Sequence, residues 1–245
     1  MKETEIGREF ELYWKRRFSE RALEFESDVD IGWWSEHSFK QRFVTFFNNF
    51  EEISTDKRLR ILDIGCGSGV YDRTLNTWGH EVIGADYSEC VVHKAVEKSN
   101  GGCVQYLVSA VPHLPFKDGS FDSVVCVGVL QYIKNEDIAL KDITRVLREG
   151  EGILMLITLN SLSLRIIYKK MLNFFLRKEK INERRYNPYR LKHMLRDFDN
   201  LKITGIYIFP KKLISLEKAS VNILNRLHPI SLVVAHAFLI KGNKK

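Results

Sequence analysis

The sequence predicts an α/β fold: a mostly parallel sheet with helices on both faces, preceded by a helical N-terminal cap. Three observations carry this reading. Short apolar runs alternate with helical stretches from Leu59 onward, the pattern of strands joined by crossover helices. A glycine-rich turn, Gly65-Cys-Gly-Ser-Gly69, follows the first apolar run. The first 52 residues instead carry aromatic residues at helical spacing.

In the N-terminal part, Phe10, Tyr13, Trp14, Phe18 and Phe25 fall near one stripe, and Phe43, Phe46, Phe47 and Phe50 form another. Between the two, Ser27 to Ser35 holds Gly32 and Trp33-Trp34 and reads as a loop. Leu59 to Ile64 is the first strand, and a helix runs from the glycine turn to about Trp78. His80 to Ala85 is the second strand, followed by a helix from Ser88 to Ser99. Cys103 to Val108 and Phe121 to Val127 are further strands. A helix from Glu136 to Leu147 leads into Gly152 to Thr158, the most apolar strand.

Beyond Thr158 the pattern is less regular. Ser161 to Lys180 places Leu164, Ile167, Tyr168, Met171, Leu172 and Phe175 on one helical face and Arg165, Lys169 and Lys170 on the other. Asn187-Pro188 opens a helix to about Phe198. Leu201 to Phe209 reads as a strand, Leu213 to Leu227 as a helix and Ser231 to Ile240 as a last strand. The expected organisation is a cap over 1–55, a ligand-binding core over 56–160, and helices and strands over 161–245 that complete the same domain.

Composition bounds the function. With 245 residues, 44% of them hydrophobic and 28% charged, the chain can bury a full core. Cys66, Cys90, Cys103 and Cys126 are too dispersed for a zinc site or a disulfide framework, so no metal is expected, and such thiols suit a reducing compartment. The longest late uncharged run, Leu227 to Ile240, has 14 residues and includes Pro229, short of the roughly 20 that a spanning helix needs. Mixed charges at the N-terminus give no secretory pattern, and the expected location is cytoplasmic, with peripheral membrane contact through the basic 161–180 stretch as an added expectation. The net charge of +7 is unevenly spread: 19 Lys and Arg against 5 Asp and Glu from Ser161 on, a balance of +14, and 19 against 26 before it, −7. A basic region on an acidic body is either a solvated face or a surface for something anionic.

The glycine turn lets a ligand approach backbone where any side chain would clash. A dinucleotide fingerprint would want its third glycine at position 70, which is Val70. Asp63, late in the strand, would repel a pyrophosphate and suits a ligand bearing an ammonium group. Asp86, which closes the second strand, is placed to accept hydrogen bonds from both ribose hydroxyls. A nucleoside with a cationic amino-acid tail and no phosphate is S-adenosylmethionine.

Between about Leu59 and Thr158 the chain resembles the class I S-adenosylmethionine-dependent methyltransferases, specifically their small-molecule branch with a methyltransferase type 11-like domain. The matching segments are Leu62-Asp-Ile-Gly-Cys-Gly-Ser-Gly69, Gly84-Ala-Asp-Tyr-Ser88, Leu114-Pro-Phe-Lys-Asp-Gly-Ser-Phe-Asp122, Val129-Leu-Gln-Tyr-Ile133 and Ile143-Thr-Arg-Val-Leu-Arg-Glu-Gly150. The resemblance implies a Rossmann-like seven-stranded sheet with one antiparallel strand near the C-terminus, matching the late Ser231 to Ile240 run. It also implies that Asp63, Gly65, Cys66, Gly67, Ser68 and Gly69 hold the methionine part of the cofactor. Asp86 then holds the ribose and Tyr87 packs on the adenine, while Val127 and Gly128 pass beside the methionine end. The family's adenine-binding aspartate is replaced by Ala110, preceded by Ser109, so Ser109 or backbone takes that role.

Candidates for a catalytic group are few. Tyr132 is placed to orient an acceptor, His37 lies in the cap region, and His113 lies beside the Leu-Pro-Phe turn; no general base stands out among them. Tyr71, at the start of the helix after the glycine turn, is a candidate to touch the methionine carboxylate. The basic amphipathic 161–180 stretch resembles an interfacial helix and points to an amphiphilic acceptor: a lipid, quinone, polyketide or lipid-linked sugar. Two other readings compete. One is an RNA methyltransferase that uses the basic C-terminal region, although Val127-Gly128-Val129 lacks the Asn/Asp-Pro-Pro-aromatic motif of enzymes acting on exocyclic base amines. The other is a non-catalytic cofactor-binding partner subunit. Acceptor, methylated atom and oligomeric state have no signature in the sequence.

Overall fold

The structure, a computed structural model, describes residues 2–53, 57–100, 102, 104–163, 166, 183–208, 232 and 235–245. The chain opens with three helices, α1 (Lys2–Glu24), α2 (Asp28–Ile31) and α3 (Glu36–Glu51). The α/β part follows as β1 (Arg60–Ile64), α4 (Val70–Thr77), β2 (Glu81–Asp86), α5 (Glu89–Lys98), β3 (Gln105–Val108) and β4 (Ser123–Val127). A 3₁₀ turn (Leu130–Tyr132), α6 (Glu136–Val146) and β5 (Ile153–Leu159) complete that part. The remaining described elements are α7 (Pro188–Met194), β6 (Phe198–Ile206) and β7 (Ala237–Lys244).

Seven strands form one sheet in the order β3-β2-β1-β4-β5-β7-β6. The pairings among β1 to β5 are parallel, and β7 runs antiparallel to both β5 and β6. Apolar side chains alternate along the strands so that both faces are dry. Leu62, Ile64, Val124, Cys126, Leu154 and Leu156 enter one core with Ile143, Leu147 and Phe238. Ile61, Val125, Val127, Met155 and Ile157 enter the other with Phe46, Phe47, Phe50, Tyr71 and Leu75. Asp63, between Leu62 and Ile64, faces the second core at the end of β1, so its period-2 position places a carboxyl among apolar groups.

Side chains cap the helices where the sequence supplies them. Ser35 accepts the Ser38 N–H at 3.2 Å to start α3, and Ser88 starts α5. Asn187 accepts the Arg190 N–H at 2.8 Å ahead of Pro188 in the first turn of α7, where the missing N–H costs nothing. α1 packs along α5, with Ser19 Oγ and Ser88 Oγ at 2.7 Å, and its Trp14 ring meets Tyr132 at 4.5 Å.

Several boundaries differ from the periodicity reading. The Ser27 to Ser35 segment contains α2, one turn capped by the Ser27 hydroxyl. Tyr13, counted in the α1 stripe, is 53% exposed, whereas Trp14 and Ala22 are buried. The helix from Pro188 ends at Met194 because Phe198 is taken into the sheet opposite Lys244, so β6 begins at Phe198 and ends at Ile206. The last strand starts at Ala237, and polar Lys241, Gly242 and Asn243 stay in it because they pair with Met155, Leu154 and Ile153 of β5. The basic stretch expected over 161–180 and the helix expected over 213–227 fall outside the described residues, save 161–163 and 166. No helix among the described residues is long and apolar enough to cross a membrane.

Candidate active site

The C-terminal ends of β1, β2 and β4 open into a cleft lined by residues of all three strands and of the N-terminal helices. Its floor is the glycine turn. Gly65 N–H and Cys66 N–H both donate to the Ala85 carbonyl, at 2.7 and 3.1 Å, which ties the turn to β2. Gly65, Gly67 and Gly69 all take positive φ, +68°, +57° and +79°, a region that side chains other than glycine's enter at a cost. A Cβ on Gly65 would lie 2.1 Å from Val129 Cγ2, and one on Gly69 would lie 2.3 Å from the Tyr106 hydroxyl. A Cβ on Gly67 would meet nothing within 4 Å. Gly65 and Gly69 are therefore required by packing, and Gly67 is open on its cleft side.

Three acids lie buried at this floor. Asp63 is 1% exposed and its Oδ1 has no hydrogen-bond partner. Asp72, in the first turn of α4, is fully buried and finds no N–H or hydroxyl donor among the described residues. Its polar neighbour is the carboxyl of Asp63, and a hydrogen bond between the two requires a proton on one of them. Burial, then the nearby Asp72 charge, hold Asp63 well above the usual carboxylate range; burial pushes Asp72 up to about 7. Asp86 is better provided: Gly67 N–H donates to Oδ2 at 3.3 Å and Ser88 N–H to Oδ1 at 2.9 Å. Burial still raises it to about 6, against the pull of those N–H groups.

The roof comes from the N-terminal helices. Phe18 and Glu11 of α1, Asp28 and Ile31 of α2, and Gly32 and Trp34 line the cleft. Asp28 fastens this roof to the floor, accepting from Ser68 Oγ at 2.5 Å, Arg73 Nη2 at 3.0 Å and Lys98 Nζ at 2.6 Å. At the β4 end, Val127, Gly128, Val129, Tyr132 and Ile133 form a wall. The indole of Trp34 approaches within 3.5 Å of where a Gly128 Cβ would lie. Burial pushes the Tyr132 phenol up to about 12, so it stays protonated at neutral pH and offers a donor.

Of the residues singled out from the sequence, the cleft brings together Asp63, Gly65, Cys66, Gly67, Ser68, Asp86, Tyr87, Ser109, Ala110, Val127, Gly128, Tyr71 and Tyr132. Gly69 is turned toward Tyr106 instead. His37, in the first turn of α3, is not in the cleft wall, and His113 is exposed on a turn where its N–H donates to Asp142 at 2.7 Å. Sequence reasoning expected a helical cap over 1–55 but missed Asp72 and the roof residues that fasten and line the cleft, Asp28 and Trp34 among them. Asp72 carries a signal, a charged residue on the sheet-facing side of a short helix; Asp28 carries none, because its partners lie 40 to 70 positions away. Among the described residues no group of three or more His, Cys, Asp or Glu is arranged to hold a metal.

Residues 62–156 match the family model described as a methyltransferase domain. The chain is 30% identical over 115 residues to an 18S rRNA (guanine-N(7))-methyltransferase of Schizosaccharomyces pombe, covering 46% of this chain and 43% of that protein. It is 35% identical over 96 residues to a malonyl-[acyl-carrier protein] O-methyltransferase of Erwinia pyrifoliae, covering 39% and 36%. These matches span less than half the length of either relative. In fold, the chain is similar to magnesium protoporphyrin IX methyltransferase from Synechocystis, solved with bound S-adenosylhomocysteine. The TM-score is 0.61 at 15% identity, over 89% of this chain and 86% of that one.

Proposed function

We propose, from the premise that residues 62–156 form a class I S-adenosylmethionine-dependent methyltransferase domain, that the protein methylates a small-molecule or amphiphilic acceptor. The observation that carries the cofactor side is the cleft floor. An open glycine, Gly67, lies beside a buried carboxyl oxygen without a partner, on Asp63, and a second acid, Asp86, closes the next strand. These groups suit a ligand with a cationic tail and a ribose. Bound there, S-adenosylmethionine supplies an electrophilic methyl group on a sulfonium.

In this reading Asp63 would hold the ammonium group of the methionine part, and the proton held between the Asp63 and Asp72 carboxyls would pass to solvent as that cation bound. Gly67 leaves room for the methionine chain. Asp86, already held by two backbone N–H groups, presents its carboxylate toward the ribose. Trp34, Phe18 and Tyr132 exclude water from the space beyond Val127 and Gly128, where the acceptor atom must lie in line with the methyl–sulfur bond. The neutral Tyr132 phenol orients the acceptor by donating a hydrogen bond.

Calorimetric titration with S-adenosylmethionine, S-adenosylhomocysteine and NAD tests this. Micromolar binding of the first two and none of NAD is expected. Asp63→Ala should weaken the adenosyl ligands by about 10- to 150-fold, the loss of a charge-assisted hydrogen bond of about 1.5–3 kcal/mol. Gly67→Trp should abolish binding while circular dichroism stays native. Unchanged affinity in both variants would overturn the assignment of the cleft.

A second reading, methylation of RNA, is favoured by the rRNA methyltransferase among the similar proteins and by the +14 balance after residue 160. Its mark would be tRNA or rRNA binding that falls steeply with salt.

A further inference from the structure

We propose that Arg42 and Arg185 form the anion-binding end of the acceptor site, and that the acceptor carries a carboxylate on an apolar body. This deepens the methyltransferase reading and rests on it.

Arg42 lies on α3 and is 4% exposed. Its hydrogen bonds go to its own helix: Nη1 donates to the Ser38 carbonyl at 3.0 Å and to the Ser38 hydroxyl. Its guanidinium carbon sits 5.6 Å from the centre of the Trp34 ring, the ring that lines the cleft. Arg185 shares two electrostatic neighbours with it, Tyr132 and Glu183, and its side chain is 14% exposed. One end of Arg185 is satisfied, since Nη2 donates to Glu183 Oε2 at 2.7 Å. The other, Nη1, is buried without a partner.

Among the described residues, the buried Arg42 and the half-buried Arg185 therefore have Glu183 as their nearby carboxylate, and it is already bound by Arg185. A buried charge is ordinarily paired, because leaving it unpaired costs several kcal/mol. Burial holds both guanidiniums below the usual arginine range, with Glu183 pulling each the other way. One negative charge would complete the cluster.

The place of the cluster identifies the ligand as an acceptor. Residues 183–186 cross the C-terminal ends of β4 and β5: Arg184 N–H donates to the Gln131 carbonyl at 3.1 Å, Tyr186 N–H to the Leu159 carbonyl at 2.9 Å, and Tyr186 Oη to the Leu130 carbonyl at 3.0 Å. Arg185 thus sits in a segment anchored beside the Tyr132 wall of the cleft; it and Arg42 lie behind Trp34 and Tyr132 rather than in the cleft lining, so the anionic end of an acceptor would reach them past that wall. Phe18 meets Tyr132 edge-on at 5.2 Å in the cleft wall and supplies apolar contact for the acceptor's body, with the buried Trp14 backing Tyr132 at 4.5 Å. A guanidinium prefers a planar carboxylate, which it can meet with two parallel N–H groups.

The test uses carboxylates and their neutral amides, benzoate against benzamide and hexanoate against hexanamide, titrated into the full chain saturated with S-adenosylhomocysteine. At least one carboxylate should bind about tenfold or more tighter than its amide. Arg42→Met and Arg185→Met should each remove that preference, and Arg42→Lys should restore part of it. Should Arg42→Met fail to fold, Arg185→Met carries the comparison. Equal binding of acid and amide, or no carboxylate binding to the complex, overturns the proposal. It also falls if Arg42→Met weakens S-adenosylhomocysteine and leaves 5′-methylthioadenosine unchanged, because Arg42 would then serve the carboxylate of the cofactor. Failure of S-adenosylhomocysteine to bind the wild-type chain would instead remove the methyltransferase reading beneath it.

Discussion

Replacing Asp72 by Asn should make the protein more stable at pH 8 and slightly less stable at pH 4. Asp72 is fully buried, and burial raises its carboxyl from the ordinary 3.8 to about 7. A carboxyl raised in the fold contributes its stability in full below pH 3.8 and loses it as the pH climbs through about 7. At about 1.4 kcal/mol for each pH unit, the ionised form is about 4 kcal/mol costlier in the fold than in the unfolded chain. Asn removes that cost and can donate its amide N–H to Asp63, whose ionisation also becomes easier without a charge beside it. Desolvating the amide takes back about 1–2 kcal/mol. The net gain at pH 8 is about 2–3 kcal/mol, a rise in Tm of roughly 5–10 °C for a chain of this size. The assay is thermal unfolding of both proteins from pH 4 to pH 8, free of ligand. Taking the difference between them cancels the groups that do not feel Asp72 and leaves Asp72 together with the Asp63 carboxyl coupled to it. A variant that melts at or below the wild-type temperature at pH 8, or by the same margin at both pH values, would refute the reasoning.

Gly65→Ala and Gly67→Ala should separate in urea unfolding. The first adds a left-handed backbone penalty of about 1–2 kcal/mol to a clash with Val129 worth about 1–3 kcal/mol, whereas the second carries only the backbone part and should instead weaken S-adenosylhomocysteine. Asp28→Ala removes the acceptor of three hydrogen bonds between roof and floor. It should cost about 1–3 kcal/mol and speed proteolysis between residues 24 and 36, and an unchanged digestion rate would count against the fastening.

The sheet was legible because its strands are buried on both faces and read as unbroken apolar runs, from Leu62 and Ile64 through Val124 to Ile157. The glycine turn was legible for a different reason: three glycines in five positions, Gly65 to Gly69, have few backbone solutions other than the tight turn with positive φ. What escaped was set by distant partners. Trp34 and Asp28 are ordinary loop residues until α2 lies over Ser68, and nothing near them in sequence says that it does. Asp72 was passed over although it falls on the sheet-facing side of α4, because a helix of eight residues gives that side only a weak periodicity. The boundaries of α7 and β6 were misjudged where Phe198 could serve either element; pairing with Lys244 decided it, 46 positions further on. The two arginines behind Trp34 and Tyr132 were invisible for the same reason, because a lone arginine in sequence carries no sign of whether it has a counter-ion.

The antiparallel strand β7 follows β6 in the chain but lies between it and β5. During synthesis, β1 to β5 can zip together as they emerge, each beside a neighbour already made. β6 cannot join them: among the described strands its partner is β7, which leaves the ribosome some 30 residues later. Until then β5 presents an open edge of almost unbroken apolar residues, Ile153 to Leu159, to any extended chain nearby. Register along that edge is set by seven consecutive pairs, Ile153 with Asn243 through Leu159 with Ala237, so a chain halted before residue 237 would carry every residue that lines the cleft together with an adhesive flank. Ribosome-stalled nascent chains of different lengths would show whether protection of β5 from hydrogen exchange arrives in a single step with these eight residues.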